Sequence, residues 1–435
     1  MWQFLAIILF SALILVIMMG VPIGFGVGLL SAVGFYFLVG PEALNTIASQ
    51  CWEHGTSWSL TCLPLFVLMA EVIVFTGMGS ATFKLARVWL NRIPGGVAIG
   101  TVLACAIFAA ACGTSTACAI AIGMMSIPEM MKQGYDKKLA VGSTAVGGTL
   151  GVLIPPSIVM IIYGTLTEQS IGHLFIAGLL PGLLIVFLIC AYIIIIAKLK
   201  PNLVAQVEHY SWKERLESLK EIIGMVCLIV LIFYALYGGL CTPTEVAAIG
   251  AFGSLVMAVI YRKLNWHNLR DALMRTVQLT SFVIFIMIGA VSFSTLVAYL
   301  GITRQMTDAF LALNLPPLAL LLFIYFIYII LGCFLDATGM MVLTLPFVFP
   351  IIIQLGYDPI WFGIVITILC EMGYITPPFG FNLFVIKSIS PPDVSFGNIM
   401  SGSFPFVIIL LIGIAILTIF PEIVLWLPST MSAFR

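Results

Sequence analysis

Charged residues are scarce in this sequence. Asp, Glu, Lys and Arg together make up 8% of the 435 residues, and the 18 basic and 18 acidic residues leave no net charge. Soluble domains usually contain about 25% charged residues, so an ordinary soluble fold is excluded. We also predict no nucleic-acid partner.

Metal-binding and nucleophile patterns are missing as well. The sequence has only 4 histidines, and its 10 cysteines form no CxxC pair and lie mostly inside apolar stretches. We therefore predict buried thiols, and neither a zinc site nor a disulfide framework. The segment GTSTA around Ser115 resembles the surroundings of a serine nucleophile, but the GxSxG spacing is not met and no histidine is near. No catalytic residue is predicted.

Long apolar stretches are abundant instead. Hydrophobic residues make up 62% of the chain, and about 20 of them in a row suffice to cross a bilayer as a helix. Stretches of this kind lie near 1–19, 22–40, 61–79, 139–165, 173–197, 222–240, 243–261, 276–299, 359–388 and 399–427. Residues 1–19 lack the basic start and cleavage site of a signal peptide, so a retained first helix is expected. We predict an all-α polytopic protein of the lipid bilayer.

Two further apolar stretches are too long for one crossing each. Residues 96–130 and 316–352 are interrupted in the middle by small or polar residues, from Gly113 to Thr116 and from Asp336 to Gly339. A re-entrant helical hairpin fits each stretch better than two full crossings. Irregular backbone at membrane depth persists only where protein or a water-filled cavity surrounds it, so we expect the hairpin tips to line a cavity.

The chain matches itself at an offset of 222 residues. Seven identities share this register, because Pro128, Gly134, Tyr135, Asp136, Gly151, Pro155 and Pro156 recur as Pro350, Gly356, Tyr357, Asp358, Gly373, Pro377 and Pro378. Apolar segments that Gly and Pro interrupt at equivalent places are typical of secondary transporters with a site at the repeat interface.

We therefore predict a first repeat at 1–197 and a second at 222–435. Each repeat contains one hairpin and one helix broken at a Pro-Pro pair, the broken helices being 139–165 and 359–388. The segment 198–221 between the repeats has mixed charge and some helical periodicity. We interpret it as an amphipathic cytoplasmic linker, which either lies in the headgroup region or serves as a solvated tether.

The basic residues predict the orientation. If each hairpin re-enters from the side on which it starts, sixteen of the eighteen Lys and Arg residues lie on one side, and only Arg304 and Arg435 lie on the other. The positive-inside rule makes the sixteen-residue side cytoplasmic and both termini periplasmic. The loop after the first hairpin carries three lysines and its counterpart at 354–358 carries none, which predicts that the repeats are inverted.

Each hairpin tip can be paired with a broken helix. The first tip, from Gly113 to Thr116, pairs with the GVLIPPS segment at 151–157. Consecutive prolines lack N–H groups and leave carbonyls without helical partners. These carbonyls and the tip hydroxyls are neutral oxygen donors, which suit a weakly held alkali cation. The pattern predicts a sodium site.

The second pair adds a carboxylate. The tip from Asp336 to Gly339 pairs with the GYITPP segment at 373–378. An ionisable residue inside a membrane segment is a functional candidate by default, so Asp336 is a cation or substrate ligand, the N-cap of the next helix, or both. Glu371 lies two residues before Gly373. It either accepts hydrogen bonds from the unwound backbone or contacts the ion.

An anionic substrate is expected between the tips. The half-helices after each tip and break begin with partial positive charge directed into one cavity, so we predict an organic acid. No Arg or Lys lies at a tip or a break. Glu71, in the apolar run LPLFVLMAEVIVF, is either a gating or a packing carboxylate.

These motifs resemble the large membrane subunit of the tripartite ATP-independent periplasmic (TRAP) transporters. The resemblance covers nearly the whole chain and is most specific in GTSTACAIAIGMMSIPEMMKQGYD, GTLGVLIPPSIVMIIYG, FLDATGMMVLTLPFVFPIIIQLGYDP and EMGYITPPFGFNLFV. It implies an elevator-type ion transporter, in which a moving domain holds both hairpins and both broken helices. It also implies sodium-coupled uptake of an organic acid, of the sialic acid or C4-dicarboxylate class, across the bacterial inner membrane.

The resemblance further implies partners and site residues. A periplasmic substrate-binding protein is expected to deliver the substrate, and a small four-helix membrane subunit is expected as a separate chain. Sodium ions are expected at Gly113, Ser115, Thr116, Gly151, Ile154, Ser157, Asp336, Thr338, Gly339, Gly373, Thr376 and Asn382. The substrate is expected at Ser115, Thr116, Gly339, Met340, Gly380 and Asn382.

Two alternatives stay open. The first is a stand-alone sodium- or proton-coupled dicarboxylate carrier, which shares the architecture and needs no binding protein. The second, from another class of protein, is an intramembrane hydrolase centred on Ser115.

Overall fold

The computed structural model describes residues 2–204, 210–312 and 315–431, and every element in these ranges is helical. The middle of the predicted linker and both extreme chain ends, with Arg435, lie outside the described residues. The helices of the first half are α1 (Trp2–Met18), α2 (Ile23–Gly34), α3 (Leu44–Gly55), α4 (Cys62–Phe75), α5 (Met78–Leu90), α6 (Gly96–Cys112), α7 (Ser115–Lys132), α8 (Lys137–Leu153), α9 (Ile158–Leu166) and α10 (Ile171–Leu199).

The second half begins with the helix that follows the linker. Its helices are α11 (Trp212–Tyr237), α12 (Pro243–Ile260), α13 (Trp266–Tyr299), α14 (Ile302–Leu311), α15 (Pro317–Gly332), α16 (Ala337–Gln354), α17 (Pro359–Ile375), α18 (Phe381–Ile389), α19 (Phe396–Ile419) and α20 (Glu422–Ser429). The last ten residues of the predicted linker, 212–221, form the first turns of α11, which continues without a break into the apolar span.

Seven helical segments of the described chain are long and apolar enough to cross a membrane. They are Trp58–Phe75, Ile171–Leu199, Trp212–Tyr237, Pro243–Ile260, Trp266–Tyr299, Ala337–Gln354 and Phe396–Ile419. An eighth is formed by α8 and α9 together, which are bent by 41° at the break between them. The predicted all-α polytopic class is confirmed, although the last apolar stretch divides into α19 and α20 at Pro421.

The first predicted hairpin is formed by α6 and α7. Gly113 ends α6 in the left-handed conformation, with φ of 67°, which glycine adopts without steric penalty. Thr114 is extended and α7 begins at Ser115, so the chain reverses within two residues and α7 packs back on α6.

The second hairpin, α15 and α16, is joined by a slightly longer turn. Asp336 begins α16 as its N-cap, because its side chain accepts hydrogen bonds from the backbone N–H groups of Thr338 and Gly339 at 3.1 and 3.2 Å. The predicted capping role of Asp336 is thereby confirmed.

The two broken helices are interrupted in the same way. Ile154 ends α8 with φ of −89° and ψ of 119°, and Thr376 ends α17 with φ of −88° and ψ of 122°. Each residue precedes a Pro-Pro pair, and a residue before proline is pushed from helical to extended backbone. The starts of the two helices also match, because Asp136 and Asp358 cap α8 and α17 through two backbone N–H groups each.

The broken helices form the centre of the core. All residues from Leu139 to Leu153 in α8 and from Trp361 to Ile375 in α17 are buried. The two helices pack on each other, α6 and α7 pack on α8, and α15 and α16 pack on α17. A second group of contacts joins α2, α4, α11, α12 and α13. This arrangement brings both hairpins and both breaks into one body.

Ion pairs join elements at one end of the molecule. Lys137, at the start of α8, lies 2.7 Å from Asp393 in the loop between α18 and α19. The hydrogen bond from Lys137 holds the pKa of Asp393 below its ordinary value. Arg87 of α5 pairs with Glu129 of α7 at 2.8 Å, which ties the end of the first hairpin to its neighbour.

Candidate functional site

The two hairpin tips meet at one cavity of about 400 Å³. Its polar lining comes from Gly113 to Thr116 of the first tip and from Asp336 and Thr338 of the second. The expected cavity between the tips is therefore present. Side chains of α13, Leu279, Phe282 and Val283, form an apolar wall, and Tyr374 and Phe381 contribute from the second break.

The first tip lies directly against the first break. A methyl group at Gly151 would lie 2.5 Å from the carbonyl oxygen of Thr114, and one at Gly113 would lie 2.8 Å from the carbonyl oxygen of Pro156. Only glycine permits backbones to approach this closely. Gly113 and Gly151, which are both predicted ion ligands, therefore have to be glycine because of this contact.

The second tip and the second break are joined in an equivalent manner. A methyl group at Gly373 would lie 2.5 Å from the Cα atom of Gly332, at the end of α15. The backbone N–H of Ala337, beside Asp336, donates to the hydroxyl of Tyr374 at 2.9 Å. The cavity therefore has two walls of similar construction, each made of a tip and a break in backbone contact.

A buried carboxylate links the two walls. Glu371 of α17 is 2% exposed, and its Oε2 atom accepts a hydrogen bond from the Ser115 hydroxyl of the first tip. Its Oε1 atom is buried and has no hydrogen-bond partner among the described residues. The bond from Ser115 reaches a carboxylate beside the opposite break, and this link was not foreseen from the sequence.

Comparison with known proteins assigns this architecture. Residues 10–423 match the model of the family described as tripartite ATP-independent periplasmic transporter, DctM component. This chain belongs to that family. It is 33% identical to the C4-dicarboxylate TRAP transporter large permease protein DctM of Vibrio cholerae, over 98% of this chain and 97% of that protein. It is 30% identical to the sialic acid TRAP transporter large permease protein SiaM of the same organism, over 94% of this chain and 95% of that protein.

A solved structure supports the fold. The Alcanivorax borkumensis YdaH transporter superimposes with a TM-score of 0.60 at 15% identity, over 90% of each chain. The TRAP family is one of transporter permeases and not of enzymes. Together with the seven apolar helical segments, membership makes this chain a multi-pass protein of the inner membrane.

The other predicted site residues of this TRAP permease lie behind the cavity lining. Ser157 caps α9 by accepting from the Met160 N–H at 3.3 Å, Thr376 donates to the Met372 carbonyl at 2.7 Å, and Gly380 begins α18. Met340 and Asn382 are fully buried, Ile154 is 6% exposed, and Gly339 donates to Asp336. The structure thus brings Gly113, Ser115, Thr116, Asp336 and Thr338 to the cavity surface and places Met340 and Asn382 in the packed interior.

Asn382 is a second buried polar residue beside the second break. Both polar atoms of its side-chain amide are buried without a hydrogen bond among the described residues. Its Nδ2 atom lies 3.3 Å from where a methyl group at Gly148 of α8 would be. The amide is therefore wedged between the second break and the first broken helix.

An ion pair beside the cavity was missed by sequence analysis. A second cavity of about 420 Å³ shares Thr114, Thr116, Leu279 and Phe282 with the first, and it is lined by Arg275 and Glu71. The Arg275 Nη1 and Glu71 Oε2 atoms are 3.8 Å apart, and 66% of the Arg275 side chain is exposed. Arg275, Leu279 and Phe282 are spaced so that they lie on one face of a helix. This spacing in the sequence could have predicted that Arg275 faces the hairpin tips.

Proposed function

We propose that this chain is the large permease of a sodium-coupled secondary active transporter that takes up an organic acid across the inner membrane. The observation that carries the proposal is the convergence of two hairpin tips and two Pro-Pro breaks on one cavity. Discontinuous helices around a central site are typical of carriers that bind ion and substrate together.

Sodium as the coupling ion is favoured by the donor set. The first tip offers the hydroxyls of Ser115 and Thr116, and it lies beside a break whose two consecutive prolines have no N–H to donate to the preceding carbonyls. The second offers the carboxylate of Asp336 and the hydroxyl of Thr338 at the cavity surface. Hard oxygen donors suit an alkali cation. We assign one ion to each tip-and-break pair, with Gly113, Gly151, Ile154 and Ser157 at the first, and Gly339, Gly373, Thr376 and Asn382 at the second.

An anionic substrate is favoured by the charge around the cavity. The 18-residue helices α7 and α16 begin at the tips, and helix N-termini carry partial positive charge. Arg275 adds a full positive charge in the adjoining cavity. Because relatives are named for C4-dicarboxylates and for sialic acid, these two acids are the substrates to test first. The proposed contacts are those predicted from the sequence, Ser115, Thr116, Gly339, Met340, Gly380 and Asn382. Ser115 and Thr116 line the cavity, whereas the buried Met340 and Asn382 would have to move to reach a substrate.

Inverted repeats and an elevator motion belong to the same proposal. The two breaks have nearly identical backbone angles, and the two starts of α8 and α17 are capped alike. Both hairpins pack on these central helices, whereas α2, α4, α12 and α13 pack largely on one another and α11 joins them through α12. The first group is proposed as the moving body and the second as the scaffold.

Two partners complete the proposed transporter. The matched family is a component of a tripartite system, so we propose a periplasmic substrate-binding protein and a small membrane subunit, here a separate four-helix chain. The alternative is a stand-alone carrier that needs neither.

Reconstituted uptake tests the proposal. Labelled succinate and labelled sialic acid are offered to proteoliposomes that contain this chain, the small subunit and the binding protein, and each protein and the sodium gradient are omitted in turn. We expect uptake of one acid only when all components and sodium are present. Unchanged uptake without sodium under a pH gradient would contradict sodium coupling, and uptake by this chain alone would favour the stand-alone carrier.

A further inference from the structure

The hydrogen bond between Ser115 and Glu371 joins residues 256 positions apart in the chain. Ser115 is the first residue of α7 and lines the cavity. Glu371 lies in the last two turns of α17, two residues before Gly373, which contacts the second hairpin. A single side-chain contact therefore connects the first tip with the second break.

Glu371 is a buried carboxylate with one hydrogen bond among the described residues. It is 2% exposed, and only its Oε2 atom accepts a hydrogen bond, from Ser115. None of the ion pairs in the described part of the chain includes it. A buried carboxylate is strongly disfavoured unless a cation, a proton or several donors compensate its charge, so the unpartnered oxygen of Glu371 can accept a cation that binds beside it.

The direction of this bond determines what Ser115 can bind. A serine hydroxyl has one hydrogen and two acceptor lone pairs. Because the hydrogen is donated to Glu371, the Ser115 oxygen has only acceptor lone pairs left for any further partner. An oxygen held in that state is suited to a cation and not to a second acceptor.

We infer that Glu371 supplies the negative charge of the first sodium site and orients the Ser115 hydroxyl toward the ion. The inference rests on the proposed function, because it assumes that sodium binds beside the first tip. It gives each proposed ion site one carboxylate, Asp336 at the second and Glu371 at the first. Glu371 belongs to the second broken helix. An ion bound at the first site would therefore also help to hold the second break in place.

The test is sodium-dependent thermal stability of the purified chain in detergent, with choline chloride replacing sodium chloride and no substrate present. Glu371→Gln keeps the shape and a hydrogen-bond acceptor for Ser115 but removes the charge. We expect the variant to melt at or above the wild-type temperature without sodium, because an uncompensated buried charge is gone. We expect its half-saturating sodium concentration to rise by about 10- to 100-fold, as when groups that support metal ligands are removed.

Two further variants separate charge from other effects. Glu371→Asp retains the charge and is expected to keep part of the sodium response, whereas Glu217→Gln, at an exposed position of α11 outside both cavities, is expected to respond like the wild type. Unchanged sodium dependence of Glu371→Gln would overturn the inference. A Glu371→Gln chain less stable than the wild type without sodium would also overturn it, since the residue would then be a structural hydrogen-bond partner. A wild-type chain that sodium does not stabilise would instead contradict the proposed sodium coupling itself.

Discussion

Arg275 and Glu71 are the two charged residues of the described chain that line the cavity adjoining the hairpin tips. Their charged atoms are 3.8 Å apart, longer than the 2.7–2.9 Å typical of a direct charge-assisted hydrogen bond. The guanidinium therefore keeps donors open toward the cavity it shares with Thr114 and Thr116. Glu71 lies within ion-pair distance of this guanidinium and partly balances its charge.

Replacing Arg275 tests this role. We expect Arg275→Gln to raise the KM for the transported acid by about 10- to 100-fold, because a hydrogen bond to a charged group contributes about 1.5–3 kcal/mol, and to leave the maximal rate near that of the wild type. The measurement is initial uptake against substrate concentration. Arg270→Gln, at an exposed position of the same helix, serves as the control. A KM equal to that of the control would argue against contact between Arg275 and the substrate.

Among the elements, each hairpin is in close backbone contact with one broken helix, and we call such a tip and break a fitted pair. The first pair depends on Gly151, where any side chain would collide with the backbone of Thr114. Backbone atoms cannot move aside as a flexible side chain can, so the tip itself would have to shift.

Gly151→Ala is accordingly expected to destabilise the protein by about 1–3 kcal/mol, the usual range for overpacking, and to abolish sodium-dependent uptake. Thermal unfolding in detergent and the uptake assay measure the two effects. Gly28→Ala is the matched control, because a methyl group there would meet only the Cα atom of Gly289 at 3.9 Å. A Gly151→Ala chain that melts and transports like the control would contradict the fitted-pair interpretation.

Structural features that depend only on neighbouring residues in the chain could be predicted from the sequence. The backbone at Ile154 and Thr376 follows from the prolines after them, and the turn at Gly113 follows from a glycine beside polar residues. Contacts between distant parts of the chain were not predictable, because nothing near Ser115 in the sequence indicates Glu371. The sequence places Arg275 among the sixteen basic residues of the cytoplasmic side, just outside the apolar stretch that begins at residue 276, whereas α13 begins ten residues earlier than that stretch, at Trp266.

At the scale of the whole molecule, the loops collect at two ends. Residues of the 53–59, 164–171 and 242–244 segments line one cleft of about 530 Å³, and Tyr237 contacts Thr430 at 3.1 Å. From this end the 18-residue α12 carries the chain about 27 Å away. The segment 261–265 therefore lies at the opposite end from Cys51.

Labelling of single cysteines tests which end is cytoplasmic. One variant retains only Cys51, which is exposed, and another carries only Lys263→Cys. We expect a membrane-impermeant maleimide to label Cys51 in intact spheroplasts and to reach the cysteine at 263 only after lysis, because the basic end is predicted to be cytoplasmic. The reverse pattern would show that the chain is inserted the other way round.

The wall that α13 presents to the cavity has a mechanical consequence. Leu279, Phe282 and Val283 offer only methyl and phenyl surfaces to the tips opposite. A body that slides along such a surface exchanges weak, nearly uniform dispersion contacts and breaks no hydrogen bonds as it passes. In the proposed elevator motion this wall would therefore resist sliding only weakly, and polar groups elsewhere would have to set the positions at which the tips stop.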